Sequence, residues 1–106
     1  MAEIHRGSWL RPTKLELLTA WMGSQRWYAA KGSQPHLELL SAWRLGDPAG
    51  EVGIETLIVL DRGGPEPIVY QVPLSYRGAP LAGADAALVG IMEHGVLGPR
   101  WVYDAT

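Results

Sequence analysis

Cysteine is absent from the 106 residues, and with it go disulfides, thiolate nucleophiles and every zinc site that needs a thiolate. Phenylalanine is absent too. The aromatic character of the chain therefore rests on five Trp and four Tyr, rings whose polar tip needs a hydrogen-bond partner when it is buried. Charge of one sign is not in excess, because nine Lys plus Arg stand against eleven Asp plus Glu. No basic field exists to displace counterions from a nucleic acid or to hold an anionic membrane surface, so neither is expected as a partner. Apolar runs such as Leu57-Ile58-Val59-Leu60 fall far short of the ~20 residues a membrane span needs. Met1-Ala2-Glu3-Ile4-His5-Arg6 is followed by no apolar segment of the secretory kind, which leaves a cytoplasmic location as the expectation.

What remains is enough for a single domain over residues 1–106 with a modest core. Thr13-Lys14-Leu15-Glu16 is a capping box, in which a threonine and a glutamate three residues apart satisfy amides at a helix start. Leu15, Leu18 and Met22 follow at helical spacing, and Gly23 stands where a left-handed residue ends a helix, so the pattern predicts a helix over 14–22. From Leu37 the period changes to two. Leu37 to Leu45, Val52 to Asp61 and Ile68 to Arg77 each alternate as strands, with turn chemistry at Asp47-Pro48-Ala49-Gly50 and Arg62-Gly63-Gly64-Pro65 between them. Pro73 lacks the N–H of a ladder and places the third of these strands at an edge or a bulge. Residues 85–92 fit a helix or a strand; Gly90 and the shortness of the run favour strand, and Trp101-Val102-Tyr103 adds another. Short connections imply antiparallel pairing. The expected fold is α+β, one N-terminal helix on a curved antiparallel sheet of four to five strands.

Chemistry-bearing patterns are sparse. His5, His36 and His94 are scattered, and strand geometry sends Glu93 and His94 to opposite faces, so neither a catalytic nor a metal site is expected. No phosphate-cradling lysine loop, dinucleotide fingerprint or His-Glu-x-x-His pattern occurs. Most of the rings are expected to be structural, but an aromatic strip of Trp43, Tyr70 and Tyr76 on an open sheet face offers a stacking platform for a sugar. The densest cluster is Gln25-Arg26-Trp27-Tyr28-Ala29-Ala30-Lys31-Gly32, directly behind the helix stop. Its cations either pair with Asp104 or Glu93 inside the fold or reach out to an acidic partner.

Taken together with Tyr70-Gln71-Val72-Pro73-Leu74-Ser75-Tyr76-Arg77, Ala87-Leu88-Val89-Gly90 and Trp101-Val102-Tyr103-Asp104-Ala105, this cluster resembles the N-terminal cap domain of actinobacterial maltokinases, over about residues 13 to 105. It looks closest to short proteins in which the cap stands without a kinase. Ala30 departs from the pattern, standing where the kinases usually carry glycine. The resemblance implies a cystatin-like fold and a cap role, docking on the nucleotide-binding lobe of a sugar kinase or acting with another enzyme of maltose, trehalose or α-glucan metabolism. It carries over neither catalytic residues nor a cofactor, because the kinase lobes are not in the sequence. Its motifs mark Gln25, Arg26, Trp27, Tyr28, Lys31, Tyr70, Gln71, Arg77, Trp101, Tyr103 and Asp104 as candidate partner-binding residues. Cystatin-type protease inhibition is not expected, since Gln71-Val72-Pro73-Leu74-Ser75 lacks the glycine of the inhibitory hairpin. Because the strands carry apolar residues on both faces and one short helix covers one of them, a homodimer is expected unless a partner supplies the cover.

Overall fold

A computed structural model describes residues 10–30, 32–46, 52–95 and 97–105. In chain order these form β1 (Leu10–Arg11), α1 (Lys14–Met22), β2 (Leu37–Gly46), β3 (Val52–Asp61), β4 (Ile68–Arg77), a 3-10 turn (Asp85–Ala87), β5 (Leu88–His94) and β6 (Gly98–Asp104). The strands make one curled antiparallel sheet in the order β1-β5-β6-β4-β3-β2. That is six strands rather than four to five. The extra one is β1, whose two residues pair with Glu93 and His94 of β5 and are too few to show a period.

The helix starts as its capping box dictates: the Glu16 N–H donates to Thr13 Oγ1 at 3.2 Å and the Thr13 N–H to Glu16 Oε1 at 2.8 Å. Its end differs from expectation, because Gly23 is right-handed (φ -60°). The last carbonyls are satisfied instead by the chain running on in tight turns, with the Ser24 N–H and hydroxyl and the Gln25 amide all donating to the Trp21 carbonyl. Leu17, Leu18 and Met22 are buried against Leu57, Val59, Val72, Leu74, Met92 and Val102. The helix can lie this close to β5 because Gly90 has no side chain; a Cβ there would stand 2.5 Å from Leu17 Cδ1. Residues 85–92 resolve into the 3-10 turn and the start of β5, so strand is the main outcome and helix is limited to one turn.

Register decides which face is which. Glu55 lies opposite Leu74, Leu57 opposite Val72 and Val59 opposite Tyr70, so the buried set of β3 is the one that includes its two carboxylates. Ile54, Ile58 and Leu60, the more apolar set, face the other way with Trp43 and Leu45 of β2. Pro73 sits in a strand that is interior at one end and an edge at the other. Leu74 to Arg77 pair with β6, whereas β6 stops at Asp104 and the Ala105 N–H donates to the Pro73 carbonyl at 3.0 Å. The missing proline N–H therefore falls where β4 begins to run without a neighbour on that side.

Candidate functional site

The segment after the helix is folded onto the start of β4 and the end of β3. Asp61, buried, accepts from the Tyr28 hydroxyl, from the His36 N–H at 2.9 Å and from the Gly63 N–H at 2.8 Å. Burial pushes the Asp61 carboxyl up, but these donors outweigh it and hold the group below its ordinary value. The Tyr28 hydroxyl moves the opposite way, raised by burial and then by the Asp61 carboxylate it bonds. Gly63 makes the clamp possible, since a Cβ there would lie 2.1 Å from the Gln34 carbonyl oxygen. Ala30, the departure from the motif, is not left-handed and rests its methyl 2.7 Å from where a Gly64 Cβ would be, so no glycine is required of its backbone.

Trp27, between these anchors, stays 45% exposed. It meets Trp21 edge-on (centroids 5.6 Å, planes at 65°) and Tyr70 at 5.5 Å, while Tyr70 stacks on Tyr28 and takes the Ala29 N–H on its hydroxyl at 2.9 Å. Beside this cluster a groove of about 280 Å³ opens, lined by Trp21, Trp27, Gln71, Val72, Pro73 and Asp104. Four of the motif residues named above thus come together here: Trp27, Tyr70, Gln71 and Asp104. Trp21, from the last turn of α1, joins them.

The remaining candidates are placed elsewhere. Gln25 binds the helix end and Tyr28 the Asp61 clamp. Tyr103 is buried and its hydroxyl accepts the Leu81 N–H at 2.8 Å, holding the segment that precedes the 3-10 turn. Arg77 lies opposite Trp101 across β4 and β6, half-buried, with its Nε buried and unbonded. Arg26 is exposed, and Lys31 lies outside the described residues. The ion pairs among the described residues are Lys14–Glu55 at 2.7 Å and Arg62–Glu38 at 3.6 Å, so Arg26 pairs with neither Asp104 nor Glu93. The three residues of the proposed aromatic strip do not share a face. Tyr76 is buried beneath Lys14 and Arg44, its hydroxyl donates to Glu55 at 2.8 Å, and its pKa is pushed up by that burial and that bond. Tyr70 shares its face, whereas Trp43 lies on the opposite one across from Thr56 and Pro73.

A second feature is that opposite face, where Trp43 (52% exposed), Leu45 (70%), Ile54 (43%) and Val69 (57%) lie open on neighbouring strands. His94 Nδ1 accepts the Leu97 N–H, and among the described residues no group of three or more His, Asp or Glu converges as a metal site would. Stacking, hydrogen bonding and apolar docking are the chemistry this arrangement offers. No curated protein and no solved structure matches the chain. The family described as the maltokinase N-terminal cap domain does, over residues 21–106, a span that takes in the aromatic cluster, the groove, the open face and the four motifs. The chain belongs to the maltokinase N-terminal cap domain family.

Proposed function

We propose that this chain is a non-catalytic cap of cystatin-like shape, which docks through the open face of its sheet on the nucleotide-binding lobe of a sugar kinase acting in maltose, trehalose or α-glucan metabolism. The observation that carries this reading is the face of β2, β3 and β4 turned away from the helix, where Trp43, Leu45 and Ile54 lie exposed on neighbouring strands and Val69 is exposed further along β4. Exposed apolar side chains gathered on one face mark interaction surfaces, and a tryptophan among them is the residue type that most often anchors a docked partner. Family membership supplies both the class of partner and the accessory, non-catalytic role.

The test is binding to purified catalytic lobes of a maltokinase lacking its own cap. A 1:1 complex is expected, weakened about tenfold or more by Trp43→Ala, a loss in the range of one hot-spot residue. Binding unaffected by Trp43→Ala and Leu45→Glu together would overturn the assignment of the face. ATP consumption by the purified chain with maltose, abolished by Arg26→Ala and Lys31→Ala together, would overturn the non-catalytic reading.

A further inference from the structure

We propose that Arg77 sets the chemistry of the partner at the docking face: it takes a carboxylate that the partner carries among apolar side chains. This rests on the docking reading of that face and adds what the docked surface must contain. Arg77 closes β4, in register with Trp101 of β6 on one side and Val52 of β3 on the other. Alternation from the buried Tyr76 turns it to the face away from the helix, where Ile54 lies on the neighbouring strand and two residues along. A diagonal of that kind is about 7–8 Å, within reach of a long side chain. The cation therefore stands beside the exposed apolar residues of the face, not apart from them.

Its side chain has no partner within the fold. The Nε is buried with nothing to donate to, and Arg77 takes part in neither ion pair among the described residues. Lys14–Glu55 lies on the helix-covered face, and Arg62–Glu38 lies at the other end of β2 and β3. A buried donor without an acceptor costs stability, more so when it is charged, and an acceptor arriving from outside removes that cost. A wholly apolar partner would bury the cation unpaired and a basic one would repel it, so both are disfavoured. A carboxylate satisfies the group with charge-assisted bonds, which strengthen as the apolar contact around them excludes water. Trp43, Leu45 and Ile54 then supply contact area, and Arg77 selects among apolar surfaces the one that bears an acid.

Two small probes, 3-phenylpropionate and its uncharged amide, test Arg77 without a protein partner. At matched ionic strength the carboxylate should move the Arg77 Nε–H and Trp101 indole N–H signals of an isotope-labelled sample saturably, with a Kd of roughly 10–50 mM. The amide should bind at least about fivefold more weakly. Arg77→Met should abolish that difference and leave the urea midpoint equal or higher, whereas a residue with a purely structural role would lower it. With the catalytic lobes of a maltokinase lacking its own cap, Arg77→Met should weaken binding about tenfold and Arg77→Glu about a hundredfold. The assignment is overturned if the parent chain binds acid and amide alike, a comparison that needs no variant, or if the lobes hold Arg77→Met as tightly as the parent. Lobes that bind no form of the chain, while the acid is still preferred to the amide, would overturn docking on a kinase and leave the role of Arg77 standing.

Discussion

Two carboxylates are buried on the helix-covered face of β3, and each takes a hydrogen bond from a different tyrosine: Glu55 from Tyr76, Asp61 from Tyr28. A chain with no phenylalanine has given these core positions to rings with a hydroxyl, and here the hydroxyl is in use. Removing it leaves a buried carboxylate short of a donor, so Tyr76→Phe should cost about 1–3 kcal/mol in spite of its small change in volume. The pH dependence follows from the directions of the shifts. Asp61 titrates below its ordinary 3.8 in the folded chain, so its contribution is complete above that value and is lost as pH falls through the lower folded one. Tyr28 and Tyr76 titrate above their ordinary 10.0, so their contribution is complete below that value and is lost as pH rises beyond it. Urea midpoints measured across pH should therefore form a plateau with two falling limbs. Asp61→Asn should lower the plateau and flatten the acid limb, and Tyr76→Phe should do the same to the alkaline one. An acid limb unchanged by Asp61→Asn would show that the clamp contributes nothing.

Among the elements, the ones legible from sequence were those whose signal is local. The capping box set the start of α1, and period two set β2, β3 and β4, because each signal lies within ten residues of what it specifies. What escaped the sequence depended on partners far along the chain. Tyr28 was grouped with the partner-binding residues, yet it is buried against Asp61, 33 positions away; Tyr76 was set on an open face, yet it lies under Lys14 and Arg44. Alternation showed two faces on β3 but not that the face carrying Glu55 and Asp61 would be the buried one. The groove was half visible, since Gln71, Trp27 and Asp104 stood in motifs, but their convergence needed the early stop of β6. Two glycines test the element packing in different degrees. At Gly90 the obstacle to a methyl is the end of the Leu17 side chain, which can shift, and Gly90→Ala should cost about 1 kcal/mol. At Gly63 the obstacle is the Gln34 backbone, which cannot move without disturbing the His36–Asp61 bond, and Gly63→Ala should cost about 3 kcal/mol. Equal unfolding midpoints for the two variants would contradict this picture of a tightly pressed segment.

The whole molecule is flat, 41 × 40 × 21 Å, which is the thickness of one sheet with one helix layer. A two-layer fold of this kind covers one face of its sheet and leaves the other to something outside it. On the covered face the helix, Tyr28 and the clamp segment do the work; on the other, Trp43, Leu45, Ile54 and Val69 have no cover among the described residues. Without a partner enzyme, a second copy is the available surface of matching chemistry, and closed two-fold pairing buries the face on both chains at once. Light scattering at micromolar concentration should accordingly give a mass about twice 11.6 kDa. Leu45→Glu with Ile54→Lys should return a monomer, because charges placed inside an apolar interface must be desolvated when it closes. Both associations use one face, so adding the catalytic lobes of a kinase should dissolve the pair into 1:1 complexes rather than form a larger assembly. A chain that stays monomeric at high concentration would show that water covers this face adequately, and would remove the main driving force assigned to the docking.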